Sequence, residues 1–391
     1  MTLQTIIGDL LRRASLTPPD LLAADVAGAL HEAGGNHLVL YVVDYEQEAL
    51  QPVALATELM DEAPKGVAID GTMAGRAFST QQVLSAQTAA GWRVWSPVRE
   101  RAERIGVLEL GFETADESLL GLCDDLGLLV GHLVHTAGRY TDLIELRRRR
   151  RPMNLAAEMQ WDLLPPLAFS SPEIAIAGLL EPAYLVAGDA FDYSLNGDVL
   201  GFTIIDAMGH GVKSTLASTL ALGAFRYGRR RSLDLGVVAE HMDDAVSVEF
   251  DGDVFVTGHV ARLDVATGDF RWVNAGHPPP LLIRGSKVVA EMKCEPCLPF
   301  GLGIGDFEIG HCQLQPQDRV LFYSDGVTET RPTGGEQFGL DQLRDQVEQY
   351  IGGGVLPSEV LRRVVRNLRQ HRGAELADDA TLVFLEWLPS R

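Results

Sequence analysis

Aspartate recurs in this chain where an apolar run gives way to glycine, and four such places fall within its last 200 or so residues. They are Gly188-Asp189-Ala190-Phe191-Asp192, Ile205-Asp206-Ala207-Met208-Gly209-His210-Gly211, Tyr323-Ser324-Asp325-Gly326 and Ala377-Asp378-Asp379-Ala380-Thr381. A carboxylate at the end of a buried strand sits half out of water, where several unpaired anions repel one another. Hard divalent cations relieve that repulsion, and all-oxygen ligation suits Mg²⁺ or Mn²⁺ better than zinc. Two such ions about 3.5–4 Å apart could share a water, lower its pKa and aim it at phosphorus for in-line displacement. The adjoining glycines permit turns that side chains would block. A single Asp-Gly is more simply a turn. Four of them on strand ends in one block make that reading poor.

The elements that would position these acids are legible. Residues 202–205, 320–323 and 381–385 are short apolar runs rich in β-formers, as expected of buried strands. The acids leave the first two at their C-terminal ends and precede the third. Upstream, 19–34 is predicted as a helix with Leu21, Leu22, Val26 and Leu30 on one face, followed by a strand over 37–43. Further strands are predicted over 51–55, 93–98 and 105–112, a short helix near 73–78 and an apolar helix over 119–135. Residues 141–164 are helical in character, with Ala156, Met159 and Leu163 spaced as a stripe that packs on a partner. Pro152 predicts a break there, with the proline in the first turn of the second piece.

Charge divides the chain in the same places. The total of −21 separates into −11 over 1–138, +2 over 139–165 and −12 over 166–391, so a basic connector carrying Arg147 to Arg151 joins two acidic blocks. A field of that sign repels phosphate backbones and anionic lipid surfaces, which argues against nucleic-acid and membrane partners. The arginine run is expected to be a solvated face or a mate for acidic surface. No stretch is read as reaching the roughly 18 apolar residues of a membrane helix. The start lacks a signal-peptide layout, so the expected location is cytoplasmic. Cys123, Cys294, Cys297 and Cys312 are too few and scattered for a disulfide framework, and the Cys294/Cys297 pair in a proline-containing loop is read as two ordinary cysteines.

The acidic constellation resembles a PPM-type (PP2C-like) serine/threonine phosphatase of the SpoIIE/RsbU branch. That family's motifs appear complete and in order: G-D-x-x-D at 188–192, D-x-x-G-x-G at 206–211, N-A-G-H-x-P at 274–279, S-D-G-[VI]-x-E at 324–329 and D-D-x-T at 378–381. The stretch 155–165 is similar to the family's linker ending in Q-x-x-L-L-P, and the match spans about 153–388. The resemblance implies an α/β (α+β) fold, with a central β-sandwich between outer helices in an αββα arrangement and two Mn²⁺ or Mg²⁺ ions at one end. Asp206 would bridge both ions, the Ala207 carbonyl would ligate one, and Asp325 and Asp378 would hold the second. Asp189 would act directly or through water. Asp192 and Asp379 are further candidates, since one carboxylate of a D-D pair usually supports the loop. The catalytic set is then Asp206, Asp325 and Asp378. The motif is offset from that of other PPM enzymes, so His210 is expected in a turn or capping role and His277 as a loop-fixing partner. The arginine those enzymes place before the first acidic motif is missing, leaving phosphate to the metals and backbone amides.

Residues 18–137 resemble a GAF domain, an α/β sensor, through Gly71-Thr72-Met73-Ala74-Gly75-Arg76-Ala77 and through Trp95-Ser96-Pro97-Val98 followed by Ile105-Gly106-Val107-Leu108. The histidines of this block, His31, His37, His132 and His135, are expected to be surface or core residues. The resulting organisation is an extension over 1–17, a sensor over 18–138, a helical linker over 139–165 and a phosphatase domain over 166–391. The expected function is hydrolysis of phosphoserine or phosphothreonine on a signalling protein, with an anti-sigma-factor antagonist as the implied substrate. The same resemblance implies a small-molecule or protein signal at the sensor and a homodimer through the linker. Two rivals are a scaffold of this fold that binds its partner without turnover and a nucleic-acid module acting through Arg147 to Arg151.

Overall fold

The structure, a computed structural model, describes residues 3–32, 34–53, 64–181, 184, 188–295, 297–303, 305–330, 337–372 and 379–389. The chain forms two compact units, Met1–Pro152 and Met153–Arg391.

The first unit runs α1 (Leu3–Ala14), α2 (Leu22–Glu32), β1 (His37–Val43), β2 (Ala49–Pro52), β3 (Val67–Ala68), α3 (Met73–Thr80), β4 (Leu84–Thr88), β5 (Gly91–Glu100), β6 (Glu103–Phe112), α4 (Glu117–Ala137) and α5 (Leu143–Arg148). Its strands form one antiparallel sheet in the order β3-β2-β1-β6-β5-β4. The unbroken apolar run of β1 arises because both faces are covered. Leu38, Leu40 and Val42 join a core with α2 and α4, whereas Val39, Tyr41 and Val43 join one with Ala74, Ala77 and Phe78 of α3. The reading that no stretch could span a membrane is corrected at α4, which is long and apolar enough by length and composition. In this fold its Cys123, Leu126, Val130 and Val134 instead pack into the core.

The arginine run is occupied within its own unit. Arg148 lies over the Tyr45 ring at 4.3 Å and donates to the Val43 carbonyl. Arg150 pairs with Glu46 at 3.2 Å and Glu48 at 2.5 Å, and Arg151 pairs with Glu46 at 3.3 Å. These contacts neutralise the acidic turn after β1.

The second unit continues with α6 (Leu155–Leu163), β7 (Ala168–Ser170), β8 (Ile174–Glu181), β9 (Asp189–Asn196), β10 (Val199–Ala207), α7 (Val212–Arg230), α8 (Leu235–Phe250), β11 (Val256–Asp264), β12 (Asp269–Ala275), β13 (Leu281–Arg284), β14 (Lys287–Glu291), β15 (Ile309–Gln313), β16 (Arg319–Tyr323), α9 (Asp325–Glu329), α10 (Gly339–Gly352), α11 (Pro357–Arg372) and β17 (Ala380–Trp387). Two antiparallel sheets, β15-β12-β11-β10-β9 and β14-β13-β16-β17-β8-β7, face each other. Phe191, Phe202, Ile204 and Phe270 meet Ile176, Phe322, Val383 and Leu385 between them, with the Phe202 and Phe322 rings 4.5 Å apart. The outer face of the first sheet packs Ala190, Ile205 and Val260 against α7 and α8. The other packs Leu179, Leu321 and Phe384 against α10 and α11. Four layers result, in the αββα order expected, and β17 is buried along its whole length because sheet and helices cover it on both sides.

The linker is broken near Pro152 into two helical pieces, as expected, but Pro152 does not open the second. The Asn154 side chain accepts the Ala157 N–H at 2.8 Å and caps α6, so the proline precedes the helix. The fully buried residues of α6 are Ala156, Ala157 and Gln160, and of the predicted Ala156, Met159 and Leu163 stripe Ala156 is buried and Leu163 packs on the core of its own unit. The strand predicted over 51–55 ends at Pro52, and its last two residues lie outside the described set.

Candidate metal centre

Antiparallel pairing of β9 with β10 sets Asp189 directly opposite Asp206 at one end of the sandwich. Asp189 is 1% exposed. Its Oδ2 accepts the Ser324 hydroxyl at 2.7 Å, while its buried Oδ1 meets no donor in good geometry. Burial, followed by the charges of Asp206 and Asp379, pushes its carboxyl well above the usual carboxylate range. Beside this pair, the Ala207 N–H donates to the Gly188 carbonyl at 3.3 Å, and Ser218 of α7 donates to the same oxygen. A Cβ on Gly188 would stand 2.9 Å from the Ala207 carbonyl oxygen, 3.4 Å from that of Gly209 and 3.7 Å from Asp206 Oδ1. Glycine there keeps open a space bounded by oxygens.

The second sheet supplies the other acids. After Tyr323 pairs with Leu382, the Ser324 N–H donates to the Thr381 carbonyl at 3.0 Å, and the Thr381 N–H donates to Ser324 Oγ at 2.9 Å. The turn carrying Asp325 is pressed against the loop before β17, so closely that a Cβ on Gly326 would lie 1.8 Å from the Asp379 carbonyl oxygen. Asp379 organises this junction. Its Oδ2 accepts the N–H groups of Gly188 at 2.8 Å and Asp189 at 3.2 Å, and the Gln160 amide at 3.1 Å. Gln160 also donates to the Asp189 carbonyl at 2.6 Å. Asp378 lies outside the described residues.

Asp192 is not brought to this cluster. An offset of three along a strand places Asp189 and Asp192 on opposite faces, and Asp192 points toward α7. There its Oδ2 accepts Arg226 Nε at 2.6 Å and Arg229 Nη1 at 3.0 Å. His210 is exposed between Gly209 and Gly211, both with positive φ, in the turn that opens α7. His277 is buried; its N–H donates to Asn274 Oδ1 at 2.8 Å, and its Nδ1 shares a hydrogen bond with Thr257 at 3.0 Å. These contacts tie its loop to β11, whose Thr257 pairs with Asp206.

The donor set fits a hard divalent cation. It consists of carboxylates and one carbonyl, it holds a buried carboxylate oxygen lacking a donor, and glycine preserves the space beside them. Among the described residues no three His, Cys, Asp or Glu side chains form a ready-made metal cage. The acids are gathered around the site rather than closed on one point.

Residues 196–388 match the family model described as Stage II sporulation protein E (SpoIIE). The chain is 22% identical over 239 residues to phosphoserine phosphatase RsbU of Bacillus subtilis (strain 168), covering 60% of this chain and 69% of RsbU. The matched region is a SpoIIE-type PP2C phosphatase domain, homologous to RsbU. Phosphoserine phosphatase RsbP of the same organism is also 22% identical over 245 residues, and there the chain spans 58% of the relative's length. The fold is shared with the SiaA-PP2C domain of Pseudomonas aeruginosa, with a TM-score of 0.51 and 21% identity over 59% of this chain and 94% of that one.

Within the SpoIIE-type domain, Asp206, Asp325, Asp378 and Asp379 fall inside the matched region, while Asp189 and Asp192 precede it. Sequence reasoning passed over Gln160, Ser324 and Arg226 as contributors. Gln160 and Ser324 did carry a signal as the first residues of the Q-x-x-L-L-P and S-D-G motifs, and in the fold Gln160 is a buried amide that needs partners.

Proposed function

We propose that this chain is a Mg²⁺- or Mn²⁺-dependent protein phosphatase acting on phosphoserine or phosphothreonine of a signalling protein. The observation that carries the reading is the meeting of Asp189, Asp206 and Asp379 around the oxygen-lined space that Gly188 keeps open. Asp206, the Ala207 carbonyl, Asp189, Asp325 and Asp378 would hold two ions, with Asp379 holding the backbone of Gly188 and Asp189. Bound divalent cations would supply charge neutralisation for acids and phosphoryl group and an activated water for attack on phosphorus. Ser324 holds Asp189 through one oxygen and leaves the other available to a cation. Gln160 and Asp379 fix the backbone on which Asp189 sits. Hydrolysis by this set requires no covalent intermediate on the protein.

The family resemblance extends the proposal to a phosphorylated anti-sigma-factor antagonist as substrate in the cytoplasm. The first unit, in its order of elements, would act as a GAF-like sensor of a small-molecule or protein signal, and two chains would pair through the linker.

The test is turnover of a phosphoserine protein by the full chain. Activity is expected to require added Mn²⁺ and to vanish in Asp206→Asn and Asp325→Asn. Undiminished turnover in those variants overturns the mechanism. A chain that binds Mn²⁺ yet hydrolyses no phosphoserine protein would instead favour the scaffold reading.

A further inference from the structure

The G-D-x-x-D motif offers two acids, and only the first reaches the candidate metal centre. Asp192 is 2% exposed and bears two guanidinium groups on one oxygen, while its Oδ1 accepts the Tyr193 N–H at 2.8 Å. A buried carboxylate so engaged has little left to offer a cation. Arg226 does more than neutralise it. The same side chain that donates Nε to Asp192 donates Nη2 to the Leu163 carbonyl at 2.7 Å. Leu163 is the last residue of α6, where helix carbonyls lack intrahelical partners and the dipole favours a cation. Three residues earlier on the same face, Gln160 holds the Asp189 carbonyl and Asp379 Oδ2. The last turn of α6 is therefore fastened at two points, one in the acidic cluster and one at Asp192.

We propose that Asp192, Arg226 and Arg229 form a positioning clamp that sets the seat of α6 on the catalytic unit, and thereby the grip of Gln160 on Asp189 and Asp379. The proposal rests on the phosphatase reading only where turnover is the readout. Arg226 splits its donors between a carboxylate and a carbonyl, a geometry that a lysine's point charge cannot reproduce. Releasing the clamp frees the end of α6 without removing a group from the metal centre, so the loss falls on metal affinity more than on the chemical step.

The experiment uses the full chain, with Arg226→Gln, Arg226→Lys, Asp192→Asn, Gln160→Ala and the double variant Arg226→Gln/Gln160→Ala. Hydrogen exchange of residues 155–164, which does not depend on activity, should speed up about tenfold in Arg226→Gln and less in Arg226→Lys. The Mn²⁺ concentration for half-maximal turnover should rise about tenfold in Arg226→Gln, by more than kcat falls. Adding Gln160→Ala should raise it little further, because both act through one helix. Unchanged exchange in α6 in Arg226→Gln overturns the clamp, as do independent, multiplying effects of Arg226→Gln and Gln160→Ala. Loss of turnover in Asp192→Asn at every Mn²⁺ concentration, with α6 still protected, would return Asp192 to the metal. A wild-type chain without turnover removes the phosphatase reading alone, and the exchange measurement still decides the clamp.

Discussion

Asp189 and His259 show how burial acts in opposite directions on acids and bases. Burial and two neighbouring acids push the Asp189 carboxyl up, so its ionised form depends on a counter-charge from outside the protein. Replacing Asp206 by Asn should therefore lower turnover at saturating Mn²⁺ by about a thousandfold or more, measured on a phosphoserine protein. His259 lies wholly inside the second unit, its Nε2 bonded to the Pro278 carbonyl at 2.8 Å and its ring edge-on to His277. Burial lowers its pKa from 6.5 to about 4. The unfolded chain takes up a proton below 6.5 and the folded one does not. Stability is then present above 6.5 and lost as pH falls through about 4, by roughly 3 kcal/mol in all. Urea unfolding of the second unit between pH 7 and pH 4 should show this slope, and His259→Gln should reduce it, with the buried His277, held neutral by the same burial, supplying the remainder. A stability independent of pH in that window would contradict the assignment. At this scale the sequence was legible where residue type implies a charge to be balanced, as in the aspartates. It offered Ser324 and Gln160 only as letters of motifs, because their roles come from partners 135 and 219 positions away.

Among the elements, the junction between α9 and β17 tolerates least. An alanine at Gly326 would place its Cβ 1.8 Å from the Asp379 carbonyl oxygen, a backbone atom that cannot swing aside. Gly326→Ala is expected to cost about 2–4 kcal/mol, seen as a lower Tm, and to lose Mn²⁺-dependent turnover with it. A second joint fastens α8 to the loop between β14 and β15. Asp243 accepts the N–H groups of Gly301 at 2.6 Å, Gly303 at 3.0 Å and Gly305 at 3.2 Å. Asp243→Ala leaves donors without an acceptor and should destabilise the unit by about 2–3 kcal/mol in denaturant titration, whereas Asp243→Asn keeps one oxygen and should lose less. The strands at these joints were readable because β10, β16 and β17 are buried on both faces and run apolar without interruption. The start of α6 was misplaced because a proline is a louder signal than the asparagine that actually caps the helix.

The molecule as a whole is two units with separate cores, and the linker helix belongs to one of them. The 139–165 connector read from charge is divided by the boundary after Pro152: α5 stays with the first unit and α6 with the second. A fragment over 153–391 should unfold in one cooperative transition and retain metal-dependent turnover. A fragment beginning at 166 lacks Gln160 and the Leu163 carbonyl and should melt lower and require more Mn²⁺. Equal melting of the two fragments would show that α6 contributes nothing to the second unit.

By itself, the sequence determined the main strands and helices of the first unit, three buried strands of the second, the acidic identity of the candidate metal centre and the resemblance to SpoIIE-type phosphatases. These are properties of local pattern and of residue type, which a linear chain carries without folding. Only the tertiary structure decided which acids share a site. It set Asp189 against Asp206 through strand register, turned Asp192 to the opposite face and committed it to two arginines, and seated a glutamine of the linker between Asp189 and Asp379. Strand pairing and packing bring together residues far apart in the chain, and a carboxylate's role follows from the charges and donors that surround it after folding.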